Sequence, residues 1–385
     1  MFIHTQSKEM EEAYSDLGIP TMAEIAARAG VSQVTVSRAL RGDPRHSDAT
    51  RARILALAKE MGYRPNPLVS ALMAERRRRN PSRHTASLAL INPYELSLEN
   101  VNDNKKRFWK EALACAERQG FTLDEWQYRM TPADCVRVER RIRALGVAGV
   151  VLFHFPEAQM RLDMNFSDCA TVAVGYSLAE PHTHRVSNQQ VATITNAMDE
   201  LHRRGYKRAG LATSITGEER VLRQWVAGWL GWEWWNKVKA PPEPYIIRSF
   251  SDESECDRFA TWVKKEKVDV VVSTFAIGYD WLLKAGLRVP EDCGYAVLDT
   301  SPLYPQLSGM DQNWERIGAS AIEVLAGQIY RNERGIPQDP TVTLVQSKWH
   351  EGETVINKRP IFRRFQPAKI NHELKIPTHL KTATQ

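Results

Sequence analysis

Apolar positions follow two regimes along this chain. In residues 21–62 they recur at helical spacing in three short runs, each closed by a turn residue. Met22, Ile25, Ala26 and Ala29 form the first stripe, and Gly30 stops it. Ser32 caps a second helix with Val34, Val36, Ala39 and Leu40 on its apolar face; Gly42, Asp43 and Pro44 end it. Ser47 caps a third, with Ile54, Leu55, Ala58 and Met61 as the stripe and Gly62 as the stop. From Ser87 the pattern becomes one of short apolar runs alternating with longer helical stretches. The runs fall at 87–92, 147–153, 170–175, 208–213, 268–274 and 294–299. The helical stretches fall at 104–119, 132–145, 189–204, 217–237, 252–266, 277–286 and 313–332. Alternation of this kind predicts parallel sheets with helices on both faces. The 87–356 region is longer than one such sheet takes, so two doubly wound lobes with a ligand cleft between them are expected.

Charge separates the same two regimes. The 385-residue chain carries a net +6, but residues 21–85 hold 13 Lys/Arg against 5 Asp/Glu. A basic N-terminal module on a mildly acidic body points to a polyanion partner, although a run such as Arg76–Arg79 also reads as a solvated helix end. The five cysteines are scattered, with no CxxC and no Cys/His cluster, which predicts ordinary thiols in a reducing compartment and no metal or other cofactor. No stretch approaches 18 consecutive apolar residues, and the N-terminus lacks the basic start and apolar run of a signal peptide; a cytoplasmic protein with no membrane partner is expected. The domain organisation predicted is a flexible leader over 1–20, a basic three-helix module over 21–66, a short helix and linker over 67–86, the two-lobed body over 87–356, and a basic tail over 357–385, disordered or draped on the body.

Residues 23–40 (AEIAARAGVSQVTVSRAL) read as a helix-turn-helix. Ala27 is small where two helices cross, Gly30 permits the tight turn, Val31 buries into the crossing, and Ser32 caps the second helix. Gln33 and Arg38 then face outward, on the side that enters a major groove. With Ser47 to Gly62 and Tyr63-Arg64-Pro65-Asn66, residues 21–79 resemble the headpiece of the LacI/GalR family of bacterial transcription regulators. The resemblance continues at Pro290–Gly294, Leu298-Asp299, Gly309–Asn313, Ile317-Gly318 and Trp349–Thr354, and covers about residues 21–356.

The resemblance implies roles for particular residues. Gln33, Val34 and Arg38 occupy base-reading positions: arginine bonds bidentately to guanine, glutamine to adenine, and valine offers apolar contact to a thymine methyl. Ser32, Thr35, Thr50, Tyr63 and Asn66 match positions on the DNA backbone. The segment from Pro67 to Ala74 looks like the family's hinge helix, with Leu72 as the minor-groove wedge. Here Val69-Ser70 replaces the family's usual Ala-Arg, which removes one minor-groove contact. In the body, Asp299 and Gln312 match cleft residues, and Arg220 or Arg223 stands where the family has a ligand-gripping arginine. Phe275-Ala276 replaces the Asn-Asp that many members turn toward a sugar, so polar grip is lost there. Five tryptophans lie between Trp225 and Trp235; a helix buried in the lobe core is favoured over stacking on an effector.

A homodimer on a pseudo-palindromic double-stranded operator, controlled by a small, carbohydrate-related effector, is the expectation that follows. Enzyme readings find no support: the chain has no GxxxxGK[ST], GxSxG, HExxH or GxGxxG. The competing class is an architectural DNA-binding protein whose body only dimerises.

Overall fold

A computed structural model describes residues 20–40, 47–63, 86–250, 252 and 254–359, with the side chains of Val34, Ser37, Arg38 and Val101 outside that description. The expectations for the leader up to residue 19, Asn66, the hinge with Val69 and Leu72, the linker to 85, and the tail from 360 onward fall outside the described residues.

Three helices form the N-terminal unit: α1 (Met22–Ala29), α2 (Gln33–Leu40) and α3 (Asp48–Glu60). A reciprocal cap starts α1. The Thr21 backbone N–H donates to Glu24 Oε2 at 2.6 Å, and Thr21 Oγ1 accepts from the Glu24 N–H at 3.3 Å. Gly30 closes α1 at φ 64°, the left-handed region where a Cβ is unfavourable. Ile25, Ala26, Val36, Ala39, Ile54 and Ala58 make the small core, flanked by Val31, Leu57 and Tyr63. Two expectations are corrected. Ala26, not Ala27, is the small residue at the helix crossing, and Ala27 is exposed. Leu55 turns outward because α3 presents Ile54 and Ala58 to its two neighbours.

The body has two lobes, each built on a six-stranded sheet. The first sheet is all parallel. It uses β1 (Ala86–Asn92), β2 (Phe121–Gln127), β3 (Gly149–Leu152), β5 (Ala170–Val174), β7 (His184–Asn188) and β13 (Val342–Val345), in spatial order β13-β7-β5-β3-β1-β2. The second uses β8 (Ala209–Ser214), β9 (Tyr245–Ile247), β10 (Val270–Ser273), β11 (Gly294–Val297), β12 (Ser308–Asp311) and β14 (Lys348–His350), in order β14-β12-β11-β10-β8-β9, with only the β12–β14 pair antiparallel. A two-stranded ribbon joins β4 (Met160–Arg161) to β6 (Leu178–Glu180).

Each sheet is covered on both faces, which is why its central strands are continuous apolar runs. In the first lobe, the short α4 (Leu98–Val101) leads into α5 (Asp103–Arg118), and α5 with α12 (Trp314–Arg331) buries Phe108, Ala112, Ile317 and Leu325 on one face. On the other, α6 (Pro132–Leu145) buries Val138 and Ile142. In the second lobe, α7 (Gln190–Arg204) and α9 (Gln224–Trp235) cover one face. The opposite face takes α10 (Glu255–Glu266) and α11 (Ile277–Lys284).

The chain passes between lobes three times: after β7, after β12 and after β13. Polar side chains tie the crossings together. Asn188 Nδ2 donates to the Val345 carbonyl at 3.1 Å and to Ser347 Oγ at 2.7 Å, while Thr193 Oγ1 donates to Asn188 Oδ1 at 2.8 Å.

The stretch expected to be helical over 217–237 is in fact two helices, α8 (Ile215–Arg220) and α9. Leu222 and Arg223 adopt positive φ of 56° and 60° between them and break the run. Of its five tryptophans, Trp225, Trp229 and Trp232 are buried in the second lobe's core, whereas Trp234 and Trp235 are exposed.

Candidate functional site

The described headpiece residues form a compact helix-turn-helix. Ser32 Oγ accepts from the Thr35 N–H at 3.1 Å and meets the Thr35 hydroxyl at 2.8 Å. Ser47 repeats this at the start of α3, accepting from the Thr50 N–H at 3.3 Å and lying 2.9 Å from the Thr50 hydroxyl. The N-termini of α2 and α3 thus each carry a hydroxyl pair beside free backbone N–H groups, an arrangement suited to phosphate oxygens. Gln33 is exposed on the first turn of α2. Val34 and Arg38 lie on the same helix. Tyr63 packs its ring against the headpiece core, and burial raises its hydroxyl pKa.

The cleft is built by the ends of parallel strands. Tyr94 follows β1, His154 follows β3, Arg220 ends α8 after β8, and Asp299 follows β11. All stand at carboxyl ends of strands, where open α/β sheets bind their ligands. Arg220 Nη2 donates to His154 Nδ1 at 2.7 Å, linking the second lobe to the first. An arginine only donates, so Nδ1 carries no proton and the imidazole is the neutral Nε2–H tautomer. The Tyr94 hydroxyl lies 2.9 Å from the same nitrogen. Lys105, near the start of α5, holds its ammonium 3.3 Å from the Tyr94 ring centroid. Burial, with Arg220 and Lys105 adding positive charge, pushes His154 well below its ordinary pKa. Burial and Arg220 lower Lys105 to about 8. Burial raises Tyr94 to about 12.

Trp314 continues the wall. Its ring lies 5.8 Å from His154, and its Nε1 donates to Asp299 Oδ1 at 2.9 Å. Asp299 retains some accessible surface yet is ringed by protein, and burial raises its carboxyl to about 7 despite that hydrogen bond. Asn104 Nδ2 donates to the Thr300 carbonyl at 3.0 Å, a further bridge between lobes. Arg107 reaches Asp311 of the second lobe at 2.8 Å and pairs with Glu315 of its own lobe at 2.6 Å.

The residues singled out from sequence separate here. Arg220 and Asp299 both line this wall. Arg223 does not: it is exposed at the α8–α9 junction, with a positive φ. Gln312 is buried with its amide N–H committed to the Leu298 carbonyl at 2.8 Å, so it props the strand end that carries Asp299. Phe275 is half-buried in an aromatic cluster with Phe250, Phe259 and Trp281. None of the five clustered tryptophans contacts His154 or Asp299 among the described residues; the indole at the cleft is Trp314. Sequence reasoning missed Tyr94, Lys105, His154 and Trp314. Their signal was positional: each lies just beyond a recognisable strand or at the start of the following helix. A separate concavity of about 290 Å³ lies by Asn313, Arg316, Leu344 and Lys348. It lacks the convergent buried polar groups of the cleft.

A helix-turn-helix joined to two Rossmann-like lobes defines a class: DNA-binding transcription regulators with a two-lobed body. Within that class, this chain's headpiece is similar to the LacI-family DNA-binding domain and its body to periplasmic-binding-protein-like domains. The profile "Bacterial regulatory proteins, lacI family" matches residues 21–66, and "Periplasmic binding protein-like domain" matches residues 198–355. The HTH-type transcriptional regulator PtxS of Pseudomonas plecoglossicida is 31% identical over 193 residues, and the match spans about half of each chain, 49% of this one and 52% of the relative. PtxS of Pseudomonas putida is 25% identical over 338 residues, covering 80% of this chain and 89% of the relative. The HTH-type transcriptional repressor PurR of Haemophilus influenzae is 23% identical over 343 residues, covering 83% and 94%. Two solved structures share the fold. The CelR–cellobiose complex has TM-score 0.55 and 19% identity, covering 87% of this chain and 99% of that one. The Lac repressor dimer bound to operator and the anti-inducer ONPF has TM-score 0.53 and 16% identity, covering 88% and 99%. The relatives are regulators, not enzymes.

Proposed function

We propose that this chain is a cytoplasmic, homodimeric repressor whose affinity for a pseudo-palindromic operator is set by a small, carbohydrate-related effector between the lobes. The observation that carries this reading is the Arg220–His154 hydrogen bond across the cleft. A ligand that replaces it binds one lobe arrangement better than another, and such differential affinity is what shifts a conformational equilibrium. The relatives' names support it: one is a repressor, and the fold neighbours include a cellobiose complex and an operator complex.

The domain divisions at 20, 66, 86 and 356 remain the proposed organisation. In the headpiece, Gln33, Val34 and Arg38 read bases from the major groove. Ser32, Thr35, Thr50, Tyr63 and Asn66 hold phosphates, and Leu72, with Val69 beside it, enters the minor groove. In the cleft, Arg220 and Asp299 contact the effector, Gln312 supports Asp299, and Phe275 shapes the second lobe's wall.

Selection of genomic fragments by the purified protein tests this, with binding repeated across a salt series. A recovered palindrome bound by two protomers is expected. Enrichment of no sequence, with a steep salt slope alone, would favour the architectural alternative.

A further inference from the structure

The cleft cluster is unbalanced in charge. Lys105 is 9% exposed and Arg220 half-buried, yet no Asp or Glu pairs with either among the described residues. Lys105 rests on the Tyr94 ring, and burial and the second cation, Arg220, both disfavour its charge. The Arg220 Nε is buried without a hydrogen-bond partner, and its Nη2 makes do with a neutral imidazole. Arg107, two residues beyond Lys105, is neutralised by Asp311 and Glu315. Buried cations without counter-charge are costly, and two on one wall would be offset by an anionic ligand. The convergent donors are an ammonium and a guanidinium. From His154 the wall runs through Trp314 to Asp299, where polarity reverses to an acceptor.

We infer that the effector cleft takes a small hydroxylated anion, a carboxylate or phosphate monoester of carbohydrate size. Its charged group sits between Lys105 and Arg220, and its hydroxyls reach toward Asp299. Arrival of the anion exchanges the Arg220–His154 bond for a charge-assisted one and so changes the link between lobes. This inference deepens the effector reading above and rests on it.

The test uses the full chain in calorimetry and thermal unfolding at constant ionic strength. The probes are inorganic phosphate, D-gluconate, D-glucose 6-phosphate and, as the neutral control, D-glucose. Saturable binding of at least one anion, at least tenfold tighter than D-glucose, is expected; gluconate against the phosphorylated sugar distinguishes carboxylate from phosphate. Lys105→Met and Arg220→Gln should each weaken that binding at least tenfold while unfolding as cooperatively as the parent. The inference is overturned if no anion binds, if D-glucose binds as tightly, or if both variants keep the parent's anion affinity, which would move the anion to another surface such as the headpiece. A neutral ligand that shifts operator affinity would leave the regulator reading standing and remove the anion. Cleft-dependent anion binding that leaves operator affinity unmoved would keep the anion site and remove its control of DNA binding.

Discussion

Single residues in the cleft are held against their own stability. Asp299 illustrates this through pH. Its carboxyl, ordinarily near 3.8, is raised to about 7, chiefly by burial. A raised acid contributes stability that is fully present below its unfolded pKa and is lost as pH rises through the folded one. Asp299→Asn keeps an acceptor for Trp314 Nε1 and removes the titration. The variant should therefore match the parent near pH 4 and melt at a higher temperature than the parent at pH 8. A gap that stays constant with pH would mean the carboxyl is solvated. Lys105 has the opposite sign, since burial of an unpaired ammonium disfavours its charged form. Lys105→Met should raise Tm by about 2–4 °C at pH 7, and a fall in Tm would show that the contact with the Tyr94 ring outweighs the cost of burying the ammonium. In the headpiece, Arg38→Ala should cost about 1–3 kcal/mol on operator and little on random DNA. Equal losses measured by anisotropy on both DNAs would refute base reading.

At the scale of elements, close helix approach positions these residues. Gly318 on α12 faces α5 so closely that a Cβ there would press into the Phe108 carbonyl oxygen. Backbone cannot give way as a side-chain tip can, so Gly318→Ala should separate the two helices and cost about 1–3 kcal/mol. Because α12 starts at Trp314 and α5 carries Lys105, the same substitution should also change quenching of cleft tryptophan fluorescence. Unchanged stability would mean that the helices pack more loosely than described. Elements were unevenly legible in the sequence. Capped helices such as α3 announce themselves through Ser47 and the stripe at Ile54 and Ala58. The strand β7 does not: Arg185, Ser187 and Asn188 are buried polar residues, since it leads into the lobe crossing and binds Val345 and Ser347 there. β2 alternates buried and exposed positions at a sheet edge, so it lacks the apolar run that marks a central strand. Asp299 could be placed by resemblance, and Arg220 as one of two alternatives with Arg223. His154 and Lys105 could not, because a residue just past a strand end or in a helix's first turn leaves no periodic trace and its role arises only when two lobes meet.

Across the whole molecule, three chain crossings and polar bridges at His154, Asp299, Thr300 and Asp311 join lobes with separate cores. Each of these bridges is exchangeable for ligand contacts. The central claim is that this arrangement governs the hold on DNA. Its most direct test is operator affinity of the full chain, by anisotropy on the selected palindrome, with and without a saturating ligand whose occupancy of the cleft is established by calorimetry. The account predicts a change within about 5- to 150-fold for the parent and a much smaller one for Arg220→Gln at equal occupancy. A ligand that fills the cleft and leaves the parent's operator affinity unchanged would contradict it.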